Sequence, residues 1–260
     1  MAVLVFFVLH WQLSVMLQSF FQHRYASHGQ FQMSKGWERC FHLLAFLIQG
    51  SSFLPPGPYA VLHRMHHAYA DTPKDPHSPR YARRVDRMMQ ATADRFGALV
   101  HGRERPEPRF VGGYPSWPAL DRLGNGWPMR ILWGALYTLF YLQFATHWWM
   151  FALLPFHYMM GPVHGAIVNW CGHRYGYRNF PTPDDSRNTL GFDVLCMGEL
   201  FQNNHHALPG RANFGYRRGE IDPAYWLLIR PLAALGVIRF PAPQKPPDAA
   251  PASRQDPTPA

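Results

Sequence analysis

Residues 131–173 read ILWGALYTLFYLQFATHWWMFALLPFHYMMGPVHGAIVNWCGH, 43 consecutive positions without a Lys, Arg, Asp or Glu. As helix, such a stretch extends about 65 Å at 1.5 Å per residue, enough for two crossings of a ~30 Å hydrocarbon core. His147-Trp148-Trp149, a polar residue beside interface-seeking aromatics, marks the turn. The stretch predicts a helical hairpin with arms at about 129–147 and 150–169. Pro155 and Gly161-Pro162 predict kinks in the second arm.

Two other segments lack charge, residues 1–23 and 40–63. The chain average of 16% charged residues and a mean hydropathy of −0.23 hide this clustering, which speaks against an ordinary soluble globule. Residues 1–21 are about long enough to span a bilayer. A cleaved leader would carry a basic residue before its apolar core and small residues at the cut, whereas Met1–Val5 has no basic residue and Gln18-Ser19-Phe20-Phe21 is a poor cleavage site. Residues 40–63 differ: their strongly apolar run is only Phe41–Ile48, and Gln49-Gly50-Ser51-Ser52 and Pro55-Pro56-Gly57-Pro58 interrupt it. That pattern predicts an interfacial or re-entrant helix.

The 25 Lys and Arg outnumber the 16 Asp and Glu, for a net charge of +9. The basic residues are mostly Arg in loops beside apolar segments and no nucleic-acid motif is present, so charge-set membrane topology explains them and nucleic acid is not expected as a partner. Cys40, Cys171 and Cys196 form no CxxC pair and fit a reducing face. Residues 74–128 read as a long polar loop. Residues 1–240 form one domain, and the Pro/Ala-rich residues 241–260 are expected to be disordered.

Eight of the 15 histidines carry a pattern. His23 and His28 form an HxxxxH, His63, His66 and His67 an HxxHH, and His205 and His206 end Gln202-Asn-Asn-His-His; His173 closes Asn169-Trp-Cys-Gly-His. Histidines three or four apart share a helix face, so HxxHH aims its imidazoles at one point. Neutral imidazole binds Zn, Cu, Fe and Ni, and eight imidazoles from four places suffice to enclose two metals. No Glu-x-x-His pair of the soluble diiron bundles occurs within the clusters. His10, His42, His101, His147, His157 and His164 read as structural, and His77, after Asp75-Pro76, as at most a neighbour of the ligands.

With these boxes, the Asn-xxx-His after the last apolar segment, and Gly198-Glu199 before the third box, the chain resembles the membrane fatty acid desaturases of the acyl-CoA desaturase type, from about His23 to Phe240. The resemblance implies an all-α integral membrane helical bundle, with three to four spans plus an interfacial helix, under a cytosolic helical cap that carries the boxes. It implies a diiron centre, two Fe ions ligated by His23, His28, His63, His66, His67, His173, His205 and His206, with Asn169 reaching one iron through water. Gln202 departs from the pattern, because the family's third box usually begins with His. The N-terminus departs too, with one span before the first box instead of two.

All boxes must face one metal site. The hairpin therefore crosses out and back, residues 40–63 do not cross, and three crossings place the Arg-rich side and the site on the cytoplasmic face. Asp71, Asp75 and Glu199 are placed to orient imidazoles by accepting N–H bonds. Phe20, Trp148, Trp149 and Trp170 are candidates to line an acyl channel. The expected activity is O2-dependent desaturation of a saturated fatty acyl chain carried by CoA, a carrier protein or a lipid. A hydroxylase or ketolase of the same type is the alternative, and a non-catalytic metal-binding membrane protein a third. No nucleotide fingerprint, haem-attachment or cluster motif is present, so electrons are expected from a ferredoxin, cytochrome or flavoprotein, with the Arg-rich loop 80–109 as a docking surface.

Overall fold

The uncharged N-terminal segment forms one continuous helix, Ala2–Ser27, in a computed structural model that describes residues 1–241. Its first part, α1 (Ala2–Leu17), is α-helical, and Gln18–Ser27 continues it with π geometry, closed by His28 N–H donating to the His23 carbonyl at 3.2 Å. The wider π turns fall on the segment that carries His23, in keeping with their frequent place at functional sites. Ser34 caps α2 (Lys35–Gln49), its hydroxyl accepting the Trp37 N–H.

Helix α2 buries Phe41, Ala45 and Phe46, one stripe of its surface, and packs antiparallel on the first helix. The Phe41 ring lies 4.7 Å from Phe20, and farther along, the Ile48 carbonyl accepts from His10 Nε2 at 2.8 Å. Gly50, at φ +53°, turns the chain there; a Cβ would also collide with the Tyr137 hydroxyl. After the short turn Gly50–Ser52, α3 (Pro56–Tyr69) returns to the end of the first helix. Residues 40–63, expected to form one interfacial or re-entrant helix, are therefore parts of two helices that reverse at Gly50–Ser52, which keeps His63 near His28.

The stretch 74–128 is not a loop throughout. It contains α4 (Val85–Val100) and α5 (Pro118–Asn125). The signal for α4 was in the spacing Val85, Met88, Met89, Thr92, Phe96, with Arg87 and Asp94 on the other face.

The first hairpin arm is α6 (Trp127–Phe144). The second arm is broken: a 3-10 segment Trp148–Leu153 and α7 (Leu154–Tyr158) are bent by 74° from α8 (Met160–Gly172). Pro155 and Pro162 both sit in the first turn of a new helix, where a missing N–H is tolerated, so the break falls between them at Met159. Among the described residues, Ala2–Ser27 is the one single helix long and apolar enough to cross a membrane; Trp148–Tyr158 and Met160–Gly172 meet that test only together. The fold is mostly helical, with one short antiparallel pair, β1 (Gln32–Met33) against β2 (Ile238–Arg239). The main core joins Phe20, Phe21, Phe31, Phe41 and Phe53. Apart from Pro241, the expected disordered tail lies outside the described residues.

Candidate metal centre

The box histidines stand on four elements whose ends meet: the π segment, α3, the end of α8, and α9 (Gln202–Ala207). The short α9 is held by its two asparagines. Asn203 Oδ1 accepts from the backbone N–H groups of Asn179 and Phe180, and Asn204 bonds Asn188, Glu220 and the Phe214 carbonyl. This pinning fixes the direction of His205 and His206.

The eight rings divide into two sets. His23, His28, His63, His67 and His205 each offer one ring nitrogen to a group lying within 4.8 Å of one another; His66, His173 and His206 form a second such group. The Nε2 atoms approach directly: His28 to His63 at 2.8 Å, His23 to His205 at 2.9 Å, His66 to His206 at 3.2 Å. The Nε2 atoms of His67 and His173 are buried without a hydrogen-bond partner. Converging imidazoles with uncommitted nitrogens are costly to bury unless something binds them, and an all-imidazole donor set suits iron, zinc, copper or nickel. The residues present therefore fit two metal ions.

Four rings are oriented from behind. Nδ1 of His66 faces Asp75 at 2.9 Å, Nδ1 of His173 faces Asp71 at 2.8 Å, Nδ1 of His206 faces Asp184 at 2.9 Å, and Nδ1 of His23 faces Glu199. Donation from Nδ1 fixes the tautomer that leaves the Nε2 lone pair inward. Asp184, which nothing in the sequence pattern singled out, acts on His206 as Asp71, Asp75 and Glu199 act on their rings.

Burial sets the electrostatics. It opposes ionisation of Asp71, but bonds from His173, Ser78 and the Asp185 N–H prevail and hold its carboxyl at about 2. Asp75 and Asp184 are likewise held low against burial by His66 and His206 respectively. Burial first, then neighbouring imidazoles, pushes His28, His63, His67 and His205 well below the usual histidine range, and burial takes His206 down to about 4 despite Asp184. These rings are neutral at pH 7, the form that binds metal.

Gln202 belongs to neither set. It is buried, its amide donates to the Glu199 carbonyl at 2.7 Å, and a Cβ on Gly172 would collide with its Cγ. His77 is not in the eight-ring pattern, yet its ring lies 4.3 Å from His66, its nitrogens are buried without partners, and with His66 and Asp75 it makes a third close group. Elsewhere, His10 and His157 meet Nδ1 to Nδ1 at 2.7 Å, His164 packs edge-on against Trp11, and His42 donates to Asp121 at 2.8 Å.

A cavity of about 520 Å³ opens beside the rings. His23, His63, Glu199, Asn169 and Gln202 line its polar end, and Val15, Leu54, Leu62, Met89, Phe96 and Val168 its apolar walls. The four aromatics expected in a channel lie elsewhere. Phe20 fills the core, Trp148 and Trp149 are exposed at the hairpin turn, and Trp170 lies under the Arg174 guanidinium. Helix α4 supplies apolar wall instead, because its amphipathic stripe closes over α3 and α8.

The fatty acid desaturase family profile matches residues 1–227. The chain is 29% identical over 227 residues to Delta-9 desaturase-like 5 protein of Arabidopsis thaliana, covering 84% of this chain and 70% of that one. It is 27% identical over 229 residues to the sn-1 stearoyl-lipid 9-desaturase of Synechocystis, covering 84% and 64%. It is 27% identical over 241 residues to the hex-5-enoyl-[acyl-carrier protein] acetylenase of Moorena producens, covering 88% and 73%. With that match across most of its length, the chain belongs to the fatty acid desaturase family, whose members are oxidoreductases.

Proposed function

We propose that the protein is an integral membrane, O2-dependent fatty acyl desaturase that holds two irons, one on His23, His28, His63, His67 and His205 and one on His66, His173 and His206. The observation that carries this reading is the apolar cavity ending at those rings. When bound, the iron pair supplies the dioxygen chemistry that an unactivated methylene requires and no side chain provides. In balance, the saturated chain, O2, two electrons and two protons give the unsaturated chain and two waters.

The chain's own residues position and enclose. Val15, Leu62, Phe96 and Val168 confine a flexible hydrocarbon beside the rings and keep bulk water out. Asp71, Asp75, Asp184 and Glu199 hold four imidazoles in register. Asn169, at the cavity's polar end, is the group to hold a water there.

In this reading Ala2–Ser27 and the hairpin 127–172 enter the membrane, and the histidine face looks into the cytoplasm, as the basic loops favour. Electrons come from a separate ferredoxin, cytochrome or flavoprotein. Expression in a host that lacks unsaturated fatty acids, followed by mass spectrometry of its lipids, tests the assignment. A new double bond is expected; an added oxygen without one would replace desaturation by hydroxylation.

A further inference from the structure

The two imidazole sets are surrounded by different charge. In the three-ring set every Nδ1 faces a carboxylate: Asp75, Asp71 and Asp184. Among the described residues those carboxylates accept otherwise only from neutral groups: Asp71 from Ser78 and the Asp185 N–H, Asp75 from the N–H groups of Asp71 and His77, Asp184 from Thr182 and from Ser186. In the five-ring set, among the described residues, only His23 faces a carboxylate, Glu199. That carboxylate is partly offset by the buried Arg24, whose Nη1 donates to it at 3.1 Å and whose Nη2 donates to Asp222 at 2.7 Å, so that Glu199, Asp222 and Arg24 together carry one net negative charge. Among the described residues, His28, His63, His67 and His205 have no acidic partner.

Two effects then act in one direction. Three carboxylates to which no guanidinium or ammonium is bonded, at one remove from a metal, stabilise its more highly charged state, and each makes its imidazole a stronger donor. The three-ring set also offers two fewer imidazoles than the other, leaving that metal coordination positions for water. The five-ring set has one net negative charge behind it, against three behind the other set, which favours the lower metal charge there.

We infer that the two irons are electrically unequal, and that the iron on His66, His173 and His206 is oxidised first while the iron on the five rings remains ferrous. The inference rests on the diiron reading. It assigns Asp184, Asp71 and Asp75 as positioning residues that set the order of electron loss, and Arg24 as the group that withholds that effect from the other iron.

The test is stepwise anaerobic oxidation of the full-length, detergent-purified protein loaded with excess ferrous ⁵⁷Fe and then freed of unbound iron. Each iron passes one electron to ferricyanide, which becomes ferrocyanide. The expected result is two irons per chain, a half-oxidised state visible by Mössbauer and electron paramagnetic resonance, and two separated steps. Asp184→Asn is expected to raise the potential of the first step and leave the second in place, and Asp71→Asn to do the same. If neither variant loads iron, Asp75→Asn takes their place with the same expectation, and the wild-type step count tests the inequality of the two irons. Loss of both electrons in one step, or variants that move only the second step, would overturn the inference and leave the diiron reading standing. Fewer than two irons in the wild type would overturn both.

Discussion

His173 and Asp71 are 102 residues apart and meet at 2.8 Å, imidazole Nδ1 to carboxylate, both almost wholly buried. Asp71 reaches this position from a left-handed backbone conformation, φ 56°, just after α3 ends. Asparagine tolerates that conformation and keeps an acceptor oxygen, so Asp71→Asn isolates the charge. Loss of such a carboxylate typically weakens metal binding 10–100-fold. The expected outcome is iron lost from one of two sites in competition with a chelator, with the other site retained, read by metal analysis.

Gly172 closes α8 against Gln202, with no room for a Cβ. Gly172→Ala is expected to destabilise the protein by about 1–3 kcal/mol, the usual range for overpacking. Shortening the neighbour should relieve the clash, so thermal unfolding of the Gly172→Ala/Gln202→Ala pair is expected to show less loss than the two single changes summed.

Gln202 faces a backbone carbonyl and joins neither ring set. Gln202→Leu is therefore expected to retain two irons per chain while losing about 1 kcal/mol for the missing hydrogen bond. Iron content and denaturant midpoint, measured on one preparation, check both halves. Loss of an iron would make Gln202 a ligand.

Gly165 lines the cavity opposite α4, and a Cβ there would make ordinary contact with the Met89 side chain at 3.8 Å. Gly165→Ala is expected to be harmless and to gain up to about 1 kcal/mol of helix propensity. Gly165→Phe puts a ring into the space assigned to the acyl chain. Its product yield is expected to fall at least tenfold, equivalent to about 1.4 kcal/mol, with iron content unchanged.

Arg24 is fully buried between Glu199 and Asp222, with its guanidinium 3.7 Å over the Phe214 ring. Arg24→Met strands two carboxylates, and breaking a buried pair in this way costs about 3–5 kcal/mol. A matching drop in unfolding free energy is expected. The double change Arg24→Met/Asp222→Leu should recover part of it.

The sequence determined the helical class, because a run of 43 uncharged positions suits helical spans of about 20 residues and far exceeds the roughly ten of a barrel strand, the other backbone that satisfies its own hydrogen bonds in apolar surroundings. The box histidines were legible from their spacing, and Asp71, Asp75 and Glu199 from their adjacency to the boxes. Asp184 and Arg24 were not. Their partners lie 22 to 198 residues away, and no local period encodes such a contact. Helix α4 was legible in principle but hidden by its arginines, because a stripe needs only one face in five or six positions. What the tertiary structure alone decided is the division of eight similar rings into sets of five and three, and the placing of three carboxylates behind one set and a guanidinium behind the other. Spacing along a helix says which imidazoles share a face; only the packing of α3, α8 and α9 against the π segment says which face meets which.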